Sequence, residues 1–129
     1  MKRCCKPLVC YNARFMVAEV QSKLPAIIAA CESAGIQRLY VFGSAAGASN
    51  HPFDDSSDVD FVVEIDRDQF PLRGLADPFW TLWIRLEDLF APRQIQLIEP
   101  RHTRNPGLLA AISRTRELIY DRSREKAAG

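Results

Sequence analysis

The sequence predicts an α/β sandwich, a small mixed β-sheet of three or four strands covered by helices. Three observations carry this. Two short runs rich in β-branched and aromatic residues, Leu39–Phe42 and Val59–Val63, read as buried strands. Apolar residues recur at helical spacing before and after them, from Phe15 to Cys31 and from Phe79 to Phe90. Two Asx-Pro pairs, Asp77-Pro78 and Asn105-Pro106, place a capping side chain just before a proline suited to a first helical position.

Taken in order, Met1 to about Tyr11 shows no clear period. From Ala13, the residues Phe15, Met16, Val20, Leu24, Ile27, Ile28 and Cys31 follow a helical stripe. Pro25 interrupts it, either kinking one long helix or starting a second one with Ser22 as its cap. Gly35 supplies a C-terminal stop. Ile36–Phe42 forms the first strand, Ser44–Ala48 a short small-residue helix, and Ser49–Ser57 a turn-rich loop. Asp58–Glu64 is the second strand and Asp66–Gly74 a polar connection. A helix follows Asp77-Pro78 through Phe79, Leu82, Trp83, Leu86, Leu89 and Phe90, and Pro92 ends it. Gln94–Ile98 alternates polar and apolar residues as a third strand. A helix after Asn105-Pro106 carries Leu108, Leu109, Ile112 and Thr115, Glu117–Tyr120 reads as a last strand, and Asp121–Gly129 is a charged tail.

The totals bound the function. At 129 residues the chain fits one domain, residues 1–129, with a core of about 24–120 and flexible ends, and its 47% hydrophobic content is enough for a packed interior. Lys+Arg 17 against Asp+Glu 16 leaves a net charge of +1, which gives no bulk electrostatic case for nucleic acid or membrane. No apolar run is long enough to span a bilayer, and the apolar part of the N-terminus is too short for a signal peptide, so the cytoplasm is the expected compartment. Cys4, Cys5, Cys10 and Cys31 match no zinc spacing; free thiols are expected, with a zinc or redox role for Cys4 and Cys5 as the alternative. An oligomer is compatible with the sequence.

The chemistry concentrates between Leu39 and Glu64. Along a strand, Asp58, Asp60 and Val62 share one face. Two carboxylates at the mouth of a buried strand repel each other and lose hydration, and a divalent cation is a common remedy. Gly43-Ser44, at the end of the preceding strand, lets backbone approach a ligand closely and favours an anion. Together they imply a metal-bound triphosphate held between two adjacent strands. Asp54, Asp55 and His51 lie in the intervening loop, where joining the site and simple hydration are both open. Trp80 and Trp83 read either as a base-stacking pair or as core and partner surface. Arg101, Arg104, Arg114, Arg116, Arg122 and Arg124 make the last third basic, which suits phosphates or a solvated face.

Gly43-Ser44 followed by Asp58-Val59-Asp60 resembles the signature of the DNA polymerase beta-like nucleotidyltransferases, and most of all the minimal, antitoxin-type members related to kanamycin nucleotidyltransferase. The likeness runs from about Leu24 to Tyr120. It implies a nucleotidyltransferase fold, Mg²⁺ (or Mn²⁺) on Asp58 and Asp60, ATP gripped at Gly43 and Ser44, and AMP transfer to a hydroxyl. It also implies a protein acceptor, a HEPN-family toxin. Two departures stand out. Thirteen residues separate Ser44 from Asp58, somewhat more than is usual. The family's third catalytic aspartate, on the third strand, is replaced by Gln96, which cannot take a proton. The alternative function is therefore a catalytically weakened or inactive nucleotidyltransferase-fold module that acts by docking to a partner.

Overall fold

The computed structural model describes residues 16–47, 53–71 and 74–123. The expectations for Cys4, Cys5, Cys10, His51 and Arg124 lie outside those residues. Helices α1 (Ala18–Gln21) and α2 (Leu24–Ala34) precede strand β1 (Arg38–Phe42); a 3₁₀ turn at Gly43–Ala46 follows, then strand β2 (Val59–Glu64). Helix α3 (Pro78–Phe90), strand β3 (Ile95–Ile98), helix α4 (Pro106–Thr115) and strand β4 (Glu117–Asp121) complete the chain. The four strands form one mixed sheet in the order β3-β2-β1-β4. The β2–β1 and β1–β4 pairs are antiparallel and the β2–β3 pair is parallel. The α/β architecture expected from the sequence is the one observed.

Pro25 does separate two helices, sitting in the first turn of α2 where its missing N–H has no helical partner to lose. Ser22 is not the cap of α2. It closes α1, its hydroxyl donating to the Glu19 carbonyl, and Lys23 occupies the N-cap position of α2 without a side-chain bond. Gly35 ends α2 in the left-handed region at φ 77°, and Asp77 and Asn105 cap α3 and α4 as the sequence predicts. The first three strands begin one or two residues later than predicted, so Asp58 lies just before β2 rather than in it, while β4 begins at Glu117 as predicted.

Strand alternation divides the interior into two unequal parts. On one face Leu39, Val41, Phe61, Val63, Leu97 and Ile119 are covered by α2 and α3 through Ile27, Cys31, Leu82, Leu86 and Phe90. On the other face a smaller cluster of Phe42, Val62 and Ile112 seats α4. Cys31 is buried in the larger core, and burial pushes its thiol far above the usual range, making it an inert packing residue. No described helix is long and apolar enough to cross a membrane.

A buried ion cluster ties α3 to the end of β3. Arg67, in the connection after β2, donates from Nε and Nη2 to Glu99 at 2.9 and 2.7 Å and from both terminal nitrogens to Asp77. Glu99 is 7% exposed and Asp77 3%. Arg38 makes a second cation-centred cluster with Glu64 (2.9 Å) and Asp121 (3.3 Å), in which Arg38 and Glu64 are half-exposed and the buried Asp121 is also held by Ser123. Removing the cation from a buried cluster leaves carboxylate charge in a low dielectric, whereas a solvated cluster contributes little. Arg67→Met should therefore lower unfolding free energy by about 3 kcal/mol and Arg38→Met by less than about 1 kcal/mol. Urea denaturation of the two variants checks this; equal losses would mean that the Arg67 cluster is effectively solvated.

Candidate active site

The antiparallel register of β1 and β2 sets Phe42 opposite Asp60. Gly43, the next residue, therefore turns the chain directly over that carboxylate. It does so at φ 73°, and a Cβ built on it would stand 3.3 Å from Asp60 Oδ2. A side chain here meets both backbone strain and the carboxylate, so the turn and Asp60 share one small space. Ser44 follows in the 3₁₀ turn, half-buried, while Ala45 and Ala46 pack into the core. The small-residue helix expected over Ser44–Ala48 is thus a 3₁₀ turn over Gly43–Ala46, closed by Gly47 at φ 79°.

Asp60 is half-buried and its Oδ1, shielded from solvent, has no hydrogen-bond partner. Burial first, and the neighbouring Asp58 charge second, raise its pKa from 3.8 to about 6. Asp58 itself is exposed. An acceptor-only oxygen without a donor, paired with a second carboxylate beside an open turn, suits a hard divalent cation that keeps several non-protein ligands. The described residues contain no group of three or more acidic, His or Cys side chains able to hold a metal alone, so remaining ligands would come from water and a bound anion.

The loop before Asp58 is pinned by Arg93. Its guanidinium donates to the Asp54 and Ser57 carbonyls at 2.7 and 2.6 Å, pairs with Glu19 at 2.8 Å, and lies 4.4 Å from the Phe53 ring centre. Asp54 accepts from the Ser56 backbone N–H and hydroxyl, so its carboxylate folds the loop. Arg93 was invisible to motif reading because its contacts join segments up to 74 residues apart.

On the other side of Asp60, the parallel ladder sets Gln96 beside it. Paired residues of neighbouring strands point to the same face, so Gln96 stands where a third carboxylate would join the first two. Glu64 is engaged with Arg38, and Glu99, just past the end of β3, lines the same cavity as Gln96 but is tied up by Arg67; neither is free to substitute for it. Gln96 opens into a cavity of about 500 Å³ at the free edge of β3, walled by Phe79, Trp80, Ile98 and Leu108 with His102 at its margin. Trp80 and Trp83 are 5.6 Å apart at an angle of 50°, both within reach of Phe79, so they form an aromatic cluster on α3 rather than a parallel stacking slot. Arg101, Arg104, Arg114 and Arg116 are exposed, Arg116 lying over the Tyr40 ring at 4.5 Å.

The family pattern described as polymerase beta, nucleotidyltransferase matches residues 26–125. No curated protein sequence matches the chain. Among solved structures, a toxin–antitoxin complex with AMP-PNP superposes with a TM-score of 0.56 at 19% identity, covering 81% of this chain and 78% of that one. A mutant MntA–HpeT toxin–antitoxin complex gives 0.56 at 17%, covering 81% and 78%. The Shewanella oneidensis complex of a tri-AMPylated HEPN toxin with an MNT antitoxin gives 0.52 at 16%, covering 84% and 77%. At these identities the likeness establishes a shared fold.

The raised pKa of Asp60 has a stability consequence. Both folded and unfolded chains are protonated at this residue below about pH 3.8, and the ionised form is disfavoured only in the folded chain. Stability attributable to Asp60 is therefore lost as pH rises from about 4 to about 6 and stays lost above. A shift of this size is about 3 kcal/mol at most, reduced to about 1–2 kcal/mol by the side chain's partial solvation. Asp60→Asn should stabilise the ligand-free protein by about that amount at pH 7.5 and by almost nothing at about pH 3. Urea denaturation across that range checks it; a pH-independent difference would show that Asp60 is not electrostatically strained.

Proposed function

The chain belongs to the polymerase beta nucleotidyltransferase family, and from that premise we propose that it binds ATP with Mg²⁺ (or Mn²⁺) and transfers AMP to a hydroxyl on a protein, a HEPN-family toxin. It would thereby act as an antitoxin in the cytoplasm. The observation that carries the reading is the partnerless Asp60 Oδ1 beside Asp58, directly under the Gly43 turn. The toxin–antitoxin complexes of the same fold, one with AMP-PNP and one with an AMPylated HEPN toxin, support the choice of nucleotide and acceptor.

Each residue has a part that follows from its chemistry. Asp58 and Asp60 would hold the cation, which when bound offsets the negative charge that builds on the departing pyrophosphate. Ser44 and the backbone after Gly43 bind the β- and γ-phosphates, and the absence of a side chain at Gly43 leaves room for them over Asp60. Holding the triphosphate still and in line with the acceptor oxygen supplies most of the rate in this kind of transfer. The aromatic cavity next to Gln96 is where an acceptor would approach from outside the sheet.

Gln96 favours a second reading. Its amide can ligate a cation weakly but cannot accept the acceptor's proton. Without a positioned base the rate falls by on the order of 10²–10⁴, which gives a protein that binds nucleotide and docks its partner with little turnover.

Two measurements separate these readings and test their common ground. Calorimetry with Mg²⁺-ATP should show binding that chelator abolishes. Asp58→Asn and Asp60→Asn should each weaken it at least about tenfold, or about 1.4 kcal/mol. Gly43→Val should remove it while leaving the circular dichroism spectrum intact. Metal-independent affinity that is equal in all variants overturns the assignment. With radiolabelled ATP and a co-purified HEPN partner, Gln96→Asp should raise AMP transfer at least about tenfold. Brisk transfer by the parent, slowed by Gln96→Asp, would remove the docking-module reading.

A further inference from the structure

The Gly43 turn is held from a distance. Gly43 N–H opens the 3₁₀ turn and so has no carbonyl partner within it. The donor is met by Thr115 Oγ1 at 3.0 Å, across 72 residues of sequence. The same hydroxyl donates to the Ala111 carbonyl at 2.8 Å, one helical turn back in α4. With its proton committed to Ala111, the hydroxyl offers Gly43 a lone pair whose direction is fixed rather than free to rotate.

Thr115 is in turn well placed to act as an anchor. It is the last residue of α4, whose Ile112 packs against Phe42 and Val62. Two residues later the chain enters β4, where Glu117 pairs with Val41 of β1. The hydroxyl is therefore fixed from both sides to the strand that carries Gly43. On the far side of the turn Val17 N–H bonds the Ala45 carbonyl at 3.0 Å. The turn is thus braced between α1 and the end of α4.

We propose that Thr115 is the positioning residue of the phosphate turn: by accepting the Gly43 N–H it sets the angle at which residues 43–46 leave β1 and so the place of that turn above Asp60. It touches no substrate. The proposal rests on the nucleotide-binding reading for its effect on affinity, but its effect on the turn does not depend on that reading.

Thr115→Val keeps the shape of the side chain and removes the acceptor; Thr115→Ser keeps the hydroxyl and removes only a methyl group. Amide hydrogen exchange of the ligand-free protein, resolved by residue, should show residues 43–46 of Thr115→Val exchanging at least about tenfold faster, with β2 amides unchanged and Thr115→Ser close to the parent. Calorimetry should show Mg²⁺-ATP binding weakened about tenfold in Thr115→Val and restored in Thr115→Ser. If Thr115→Val fails to fold, Thr115→Ala carries the same two expectations. Unchanged exchange in the turn overturns the proposal whether or not the protein binds ATP. Faster exchange with unchanged ATP affinity overturns it too, since Thr115 would then only stiffen a surface turn. A parent that binds no Mg²⁺-ATP refutes the nucleotide reading instead, and the exchange result alone then decides the role of Thr115 in the turn.

Discussion

A single register governs the site: Phe42 of β1 opposite Asp60 of β2. It places a left-handed glycine within contact distance of a half-buried carboxylate, and each feature explains the other. A larger residue at position 43 would be strained and would press on Asp60, and a carboxylate at position 60 would lie under a closed lid if the turn carried a side chain. The two-residue period of a strand makes this arrangement all-or-none. A slip of one residue would turn Asp60 toward the core that holds Phe61 and Val63, and present Val59 or Phe61 to the turn. The large apolar cluster under α2 and α3 resists that slip, so the packing of one face fixes the chemistry of the other.

Most of what could be read locally was legible in the sequence. Gly35, Asp77-Pro78 and Asn105-Pro106 each signal a helix boundary through bonds spanning two to four residues, and each boundary lies where those signals put it. Gly43, Asp58 and Asp60 were legible because a strand period and a short spacer suffice to bring them together, and the register of Gln96 beside Asp60 agrees with the placement inferred from the third strand. Ser22 failed as a cap because α1 ends at Gln21, and its hydroxyl is taken by the turn it closes. Arg67, Arg93 and Thr115 carried no signal at all. The partners that matter here lie 10 to 74 residues away (Asp77 for Arg67, Gly43 for Thr115, Glu19 for Arg93), and an arginine or threonine in a linear sequence does not announce which distant carbonyl, carboxylate or amide it will meet.

The two sides of the sheet differ in how firmly they are built. α3 buries Leu82, Leu86 and Phe90 against the main core but leaves Trp80 40% and Ile84 63% exposed, one turn apart on its outer side. Ile112 is the one buried residue of α4, with Leu108 partly buried beside it. Leu108 faces the cavity at the edge of β3 and Thr115 the Gly43 turn, so one lightly seated helix of ten residues borders both. Elements with few buried contacts are where local opening is least costly.

The Arg67 cluster bears on how such a chain can change over generations. Its three charged side chains are buried together, so replacing Arg67 alone leaves Glu99 and Asp77 unpaired in a low dielectric, and replacing Glu99 alone removes one of the guanidinium's two carboxylates. Apolar residues of similar volume are tolerated in such places when the whole set is exchanged at once. Asp77 has a further duty, since it also accepts the Phe79 N–H that opens α3. Each single replacement is thus costly, and the position with two duties is the costliest to surrender. Arg67, Asp77 and Glu99 should be inherited as a linked set, with Asp77 the most conservative member.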